Sequence, residues 1–216
     1  MRGRSMNKKT ANKIFDILEK EHPGATTALK HKNPLEILVA TILSAQCTDE
    51  RVNMVTRTLF RKYKKAKDYA GAKVPVFEKE IRSTGFYRNK ARNTIAAARM
   101  IVDKFSGKVP ETMDELIALP GVARKTANIV LYHAYGKNEG IAVDTHVKRV
   151  SGRLGLTRNT DPVKIEQDLM SLFDRKKWGK LSDVLILHGR KICDARKPLC
   201  PDCPVKKLCP SAKGFS

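Results

Sequence analysis

Four of the five cysteines of the chain are grouped near its end, as Cys193, Cys200, Cys203 and Cys209. Their spacing is C-x6-C-x2-C-x5-C. In a reducing cytosol, thiols clustered in this way are more often metal ligands than disulfide partners. Zinc sites favour two close pairs, and only Cys200 and Cys203 form one, whereas four thiolates also ligate iron–sulfur clusters. The spacing therefore favours an iron–sulfur site over zinc, and both remain open.

A second stretch suited to chemistry is LPGVARKTANIV, residues 119–130. Pro120 and Gly121 end one predicted helix and the next begins almost at once, which predicts a helix, a tight hairpin and a second helix. Such a hairpin directs the unpaired N–H groups of the second helix, and the positive end of its dipole, at one point where a phosphate fits. That contact would be independent of base sequence. An ordinary helix–helix corner has the same pattern.

Lys125 falls in the first turn of this second predicted helix. The helix dipole and the neighbouring basic residues disfavour the ammonium form there. An uncharged lysine amine is a nucleophile. A phosphate contact, or plain exposure to solvent, is the alternative for a lysine considered alone.

Asp144 lies in IAVDTHVKRV, at the end of an apolar run and just before a predicted helix. The structural explanation is an N-cap, which contributes about 1 kcal/mol. A carboxylate held at a helix start is also well placed to face a developing positive charge. The two roles are compatible.

The charge balance of the chain indicates a polyanionic partner. The 216 residues include 43 Lys and Arg against 22 Asp and Glu, a formal net charge of +21. Proteins with such a surplus of positive charge usually bind nucleic acid. No apolar run approaches the length that spans a membrane, and the N-terminal MRGRSMNKKT is basic without the apolar segment of a signal peptide. We therefore expect a soluble, cytoplasmic protein, nucleoid-associated if prokaryotic, whose natural start is Met1 or Met6.

Apolar residues at helical spacing recur along the chain, so the predicted fold class is all-α. Asn33, Pro34 and Glu36 predict a helix start with a capping box. A further helix should follow the cap signal at Thr48. The other predicted helices cover about residues 10–20, 77–83, 88–105, 178–193 and a segment from Pro110 to Leu119.

Four of these features together resemble the endonuclease III family of the helix-hairpin-helix superfamily: the hairpin with Lys125, the VDTHVKRV segment with Asp144, the LSAQCTD stretch and the cysteine tail. In this order they are highly specific, and the resemblance runs from about residue 10 to residue 210. Members of this family are bifunctional DNA glycosylases and abasic-site lyases. The resemblance implies a monomer whose partner is double-stranded DNA with damaged bases or abasic sites.

By the same resemblance, Lys125 and Asp144 are the catalytic residues. Cys193, Cys200, Cys203 and Cys209 would hold a four-iron four-sulfur (4Fe-4S) cluster that keeps a basic loop rigid against DNA, with redox sensing as the alternative role.

Gln46 matches the family's glutamine that fills the hole left by a flipped nucleotide. Phe86 takes the place of the family's apolar wedge, or else belongs to the core. Cys47 stands where the family usually has alanine and is expected to be buried. Further DNA contacts are expected at Gly121, Ala123, Arg124, Thr126 and His146. At the position of Ala123 the family generally has glycine.

The implied architecture has two helical domains that flank a DNA-binding cleft. One is a six-helix barrel-like domain of residues 27–138 with the hairpin at 119–130, and the other is an iron–sulfur domain of residues 1–26 plus 139–216. The implied activity is removal of oxidised pyrimidines such as thymine glycol, followed by β-elimination through a Schiff base on Lys125. A monofunctional mismatch glycosylase and a non-catalytic duplex-binding module are the alternatives, and a ferredoxin-type electron carrier fits the charge and the hairpin poorly.

Overall fold

The computed structural model describes residues 6–215. Residues 1–5 and residue 216 lie outside the described residues, and with them half of the basic N-terminal stretch and the alternative start at Met1. In chain order the helices are α1 (Lys8–Glu21), α2 (Pro34–Leu43), α3 (Asp49–Lys62), α4 (Ala66–Ala70), α5 (Val74–Ile81), α6 (Tyr87–Phe105), α7 (Met113–Ile117), α8 (Arg124–Tyr135), α9 (Thr145–Arg153), α10 (Pro162–Leu172) and α11 (Trp178–Lys191). Short 3-10 helices lie at Arg82–Thr84, Arg175–Lys177, Lys206–Leu208 and Ala212–Phe215.

Residues 6–215 contain no β-strand, so the all-α prediction is confirmed. The chain divides into two compact units. The central unit is Thr27–Lys137, and the terminal unit combines the described residues up to Thr26 with those from Asn138 onward. Each unit has its own hydrophobic core. In the described part of the chain, no helix is both long enough and apolar enough to cross a bilayer.

The core of the central unit is built around α2. Every residue of α2 from Ile37 to Leu43 is buried, as expected of a helix that is apolar around its whole circumference. It packs against α8, α6 and α3. Tyr63, Tyr69 and Phe77 extend this core, with ring centroids 4.9 Å apart for the two tyrosines and 5.5 Å apart for Tyr63 and Phe77. Through these aromatic contacts, α4 and α5 pack into the same hydrophobic core as α6.

The two predicted helix starts are confirmed, with one correction. The Asn33 side chain caps α2 by accepting the Glu36 N–H at 3.0 Å, and Thr48 caps α3. The predicted capping box is wrong in its second half, since the Glu36 carboxylate accepts the N–H of Lys32 at 2.7 Å instead of that of the cap residue. With Asn33 extended (φ −154°, ψ 169°), it is the N–H of the preceding residue that faces this carboxylate.

The predicted helix from Pro110 to Leu119 is wrong at both ends, because the helix is only α7, Met113–Ile117. Thr112 supplies the cap: its hydroxyl accepts the Glu115 N–H and donates to the Glu115 carboxylate at 2.6 Å. This T-x-x-E pair is a capping-box signal that the proline obscured.

The terminal unit packs α11 against α9 and α1. Gly189 of α11 permits the close approach of α9, since a Cβ there would lie 3.1 Å from Val150 Cγ2. In the core of this unit, Phe15 packs against Phe173 with ring centroids 6.1 Å apart. The cysteine tail leaves directly from the end of α11.

Candidate functional site

The predicted hairpin is formed between α7 and α8 in the central unit. Gly121 has φ +78°, a left-handed conformation that glycine adopts without strain. The next residue, Val122, is buried, and its N–H donates to the Leu119 carbonyl at 3.1 Å, which closes the turn. The chain then enters α8 directly. The hairpin therefore turns within a few residues, as the Pro-Gly pair predicts.

The N-terminus of α8 has no side-chain cap. Ala123 occupies the N-cap position in an extended conformation, and its methyl group offers no oxygen to the first N–H groups of the helix. Gly121 and Ala123 are both exposed. An uncapped, exposed helix start behind a tight turn has the geometry that accepts an anion.

Lys125 lies in the first turn of α8, and its side chain is exposed. Arg124 beside it is exposed as well, whereas Thr126 is half-buried. The amine is therefore accessible to a substrate that is held at the hairpin. Ala127, two residues after Lys125, is buried and anchors the helix in the core. The backbone that carries the amine is therefore fixed.

Gln46 and Phe86 share an unusual backbone conformation. Both are non-glycine residues with positive φ, 52° and 47° respectively, a region that costs an L-residue about 1–2 kcal/mol. Phe86 is 64% exposed, so the alternative that it belongs to the core is wrong. Gln46 is exposed too. Both side chains project from strained turns, the kind of conformation that persists at functional sites.

Cys47, which follows the strained glutamine, is half-buried and packs at the edge of the central core. The expectation of full burial is therefore wrong. Its neighbour Thr48 is held by its role as a helix cap, and this keeps the cysteine close to the surface.

Asp144 in the terminal unit is the N-cap of α9. Its Oδ1 accepts the Val147 N–H at 2.8 Å, and the residue is half-buried. The preceding residues, Ile141, Ala142 and Val143, are buried and fix its backbone. The capping role that the sequence predicts is confirmed, and the second carboxylate oxygen is not used by this hydrogen bond.

His146 is one residue into α9 and partly buried. An Arg149 guanidinium N–H donates to its Nδ1 at 3.1 Å. Burial lowers the pKa of His146, the Asp144 charge opposes this shift, and the Arg149 and Arg190 charges reinforce it. The imidazole is thus held neutral in an oriented position.

The four tail cysteines line one small cavity together with His188 and Arg153. Burial raises the pKa of Cys203 and of Cys209, so the apolar cavity alone favours thiols over thiolates. A cationic metal group would reverse this preference and bind the thiolates. Among residues 6–215, no three His, Cys, Asp or Glu side chains converge closely enough to hold one metal ion. The donor set that lines the cavity is four sulfurs, which suits a metal group with four thiolate ligands.

The sequence does not predict two buried polar features of the structure. The rings of His22 and His188 are paired, with 3.2 Å between Nε2 and Nδ1, and His188 Nε2 lies 3.7 Å from Cys203 Sγ. Lys90 is only 4% exposed. The two histidines are 166 residues apart in the sequence, so no local pattern predicts that they pair. A lysine within a helix is usually predicted to be exposed, so the local sequence does not predict that Lys90 is buried.

Comparison with known proteins gives one consistent result. A family model described as HhH-GPD superfamily base excision DNA repair protein matches residues 39–175. The chain is similar to endonuclease III of Synechocystis sp., with 54% identity over 213 residues, 99% of this chain and 97% of the relative. Two solved structures match with a TM-score of 0.92 at 44% identity, covering 97% of this chain and 98% of theirs. One is a non-covalent endonuclease III–DNA complex, and the other is a trapped endonuclease III–DNA covalent intermediate.

Proposed function

Because the chain belongs to the endonuclease III family within the HhH-GPD superfamily of base excision DNA repair proteins, we propose that Lys125 and Asp144 carry out its reaction on damaged DNA. The protein is a base excision repair DNA glycosylase with an abasic-site lyase activity, and its partner is double-stranded DNA. The observation that carries the assignment of Lys125 is an exposed amine in the first turn of α8, directly behind the uncapped hairpin. The lesions that we propose are oxidised pyrimidines such as thymine glycol.

The first task is to hold the backbone and extrude the damaged nucleotide. The uncapped start of α8 accepts a phosphate, and the net charge of +21 adds sequence-independent attraction. Gln46 and Phe86 enter the duplex in place of the extruded nucleotide. Extrusion costs a few kcal/mol of unstacking, and these two exposed side chains offset that cost.

The chemical step begins at the Lys125 amine. It attacks the sugar C1′, the C1′–N bond to the base breaks, and the base leaves with the bonding electrons and takes up a proton. The Asp144 carboxylate stabilises positive charge on the sugar and accepts the proton that the amine loses. The C1′–O4′ bond then breaks as the nitrogen lone pair forms the C=N bond, and O4′ takes up the proton from Asp144, which leaves a protonated Schiff base between Lys125 and C1′ of the opened sugar.

The lyase step follows from that intermediate. The imine makes the 2′ proton acidic, and its loss expels the 3′ phosphate by β-elimination. Water hydrolyses the imine and releases the enzyme. A carboxylate or a water molecule acting as nucleophile would stop at the abasic site, so the amine is what joins base removal to strand cleavage.

The cofactor that we propose is a 4Fe-4S cluster held by Cys193, Cys200, Cys203 and Cys209. Four thiolates are the ligand set of such clusters, and the cavity that the four cysteines line together supports them as ligands. When bound, the cluster cross-links the tail without entering the reaction. The exposed Lys197, Lys206 and Lys207 lie inside the ligand loops, and a rigid loop of this charge contacts the DNA backbone. A substrate of this kind also supports a location at the nucleoid of the cytoplasm.

The test is a product analysis on a duplex that carries one thymine glycol. We expect strand cleavage without added alkali. A monofunctional glycosylase would leave an abasic site that breaks only after alkali, and a binding module would retard the duplex without any product. Either of these two results contradicts the proposed function.

A further inference from the structure

Lys90 of α6 is a buried cation whose hydrogen-bond acceptors are both main-chain carbonyls. Its Nζ donates to the Leu43 carbonyl at 2.8 Å and to the Thr84 carbonyl at 2.7 Å. The residue is 4% exposed. Burial lowers the pKa of Lys90. A lysine is rarely buried to this degree, so its position calls for a specific role.

The two carbonyls belong to segments that are distant in sequence. Leu43 is the last residue of α2, and Thr84 ends the 3-10 helix Arg82–Thr84. Helix C-termini carry unpaired carbonyls and the negative end of the dipole. The ammonium group thus joins two helix ends by satisfying one carbonyl on each.

Each of these helix ends leads directly into one of the two strained, exposed residues. Gln46 follows Leu43 after two residues, and Phe86 follows Thr84 after one. The main chain of Lys90 makes a third connection, since its N–H donates to the Phe86 carbonyl at 3.1 Å. Residues with positive φ persist only where the surroundings fix them. Lys90 contacts the two segments at the points where this fixing is needed.

Among the described residues, Ser106 is the third non-glycine residue with positive φ, and it has an ordinary explanation. It ends α6, and Gly107 donates back to the Ile101 carbonyl in a helix-terminating hydrogen bond. Neither Gln46 nor Phe86 is a helix C-cap, since Ser44 is the C-cap of α2 and Phe86 precedes α6 as its N-cap. Lys90 donates a hydrogen bond to Phe86 itself and another to Leu43, three residues before Gln46.

We propose that Lys90 is a positioning residue for nucleotide extrusion: its ammonium group holds the Gln46 and Phe86 segments together so that both side chains enter the duplex as one wedge. This inference rests on the proposed function, in which those two residues replace the extruded nucleotide. Lys90 does not touch the reacting atoms. Its removal should therefore impair the opening of a duplex and leave the chemistry of Lys125 intact.

The experiment compares one substrate in two forms. The rate of borohydride trapping is measured on an abasic site in a duplex and on the same abasic site in a single strand, which needs no extrusion. Lys90→Met keeps the length of the side chain and removes its donors. We expect trapping on the duplex to slow by about tenfold or more and trapping on the single strand to change by less than about twofold.

Two further variants make the comparison specific. Lys90→Gln retains N–H donors without charge and should lie between the wild type and Lys90→Met on the duplex. Lys104→Met removes one charge from an exposed position of the same helix and should match the wild type on both substrates. Circular dichroism and thermal melting establish that each variant is folded.

Equal duplex rates for Lys90→Met and the wild type would overturn the inference, as would an equal loss on both substrates. If neither Lys90→Met nor Lys90→Gln folds, the lysine serves the core of the central unit and the inference is likewise wrong. A wild-type protein that traps neither substrate would contradict the proposed function instead, so the two failures are distinguishable.

Discussion

Gly121 of the hairpin lies directly against Asn93 of α6. A Cβ built at position 121 would be 2.7 Å from Asn93 Cβ and 2.9 Å from its side-chain nitrogen. The glycine is therefore required twice, once by its φ of +78° and once by this close approach. α6 thus supports two parts of the site from one helix, since Asn93 braces the hairpin and Lys90 joins the segments of Gln46 and Phe86.

Gly121→Ala should destabilise the protein and weaken its affinity for undamaged duplex. Left-handed strain and the clash with Asn93 together cost about 3 kcal/mol. Gly136→Ala is the matched control, because Gly136 also has positive φ (+66°) but has nothing within 4 Å of its would-be Cβ. That variant should lose only about 1 kcal/mol and bind duplex normally. Thermal melting and duplex titration provide both measurements, and equal losses for the two variants would contradict the bracing role of Asn93.

Asp144→Asn separates the capping role of this residue from its catalytic role. Asparagine caps a helix about as well as aspartate, so the stability should stay within about 0.5 kcal/mol of the wild type. Loss of the charge that faces the sugar should slow base removal by about a hundredfold. Asp144→Ala should show the same slow reaction and lose about 1 kcal/mol in addition. Single-turnover kinetics and melting test this, and a wild-type rate for Asp144→Asn would reduce the residue to a cap.

The cysteine tail should bind about four iron atoms per chain and give a brown protein with visible absorbance. Cys200→Ala should lose the colour and most of the iron, because one ligand in the cavity is missing. Cys47→Ala is the control, since Cys47 lies at the edge of the other core, and it should keep both. Iron and zinc analysis of the purified proteins shows which metal the four cysteines bind. About one zinc per chain in the wild type would refute the cluster.

His146 should make the protein less stable in mild acid. Burial lowers its pKa in the folded chain below the ordinary value of 6.5, so the unfolded chain binds the proton at a higher pH than the folded chain does. The free energy of unfolding must then fall as pH falls through and below 6.5. Burial also lowers the pKa of His22 and that of His188, the latter to about 4, so part of this effect remains in any variant of His146.

His146→Gln removes one titrating group and leaves an acceptor for Arg149. Its melting temperature should therefore decline less steeply than that of the wild type between about pH 7.5 and about pH 5.5. Parallel curves for the two proteins would show that this histidine contributes nothing to acid sensitivity.

Local signals account for what the sequence predicts well. The helix starts at Asn33 and Thr48 depend on capping residues a few positions away from their acceptors. The hairpin depends on the adjacent Pro120 and Gly121. The helix near Pro110 was misplaced because proline can begin a helix, whereas the Thr112 and Glu115 side chains set the actual start.

The features without a local signal depend on distant contacts. The Lys90 ammonium reaches a carbonyl 47 residues away, and the sequence around it indicates only one face of a helix. The conformations of Gln46 and Phe86 are equally hidden, since positive φ is unusual for both residue types. The catalytic roles of Lys125 and Asp144 stay predictions that solution chemistry must test.

The most direct test of the account is borohydride trapping on a duplex with one thymine glycol, using the wild type, Lys125→Ala and Lys125→Arg. The arginine variant keeps a cation at the hairpin but has no amine that forms a Schiff base. We predict a covalent protein–DNA adduct with the wild type and none with either variant, while Lys125→Arg still binds the duplex. An undiminished adduct with Lys125→Arg would contradict the assignment of this lysine as the nucleophile.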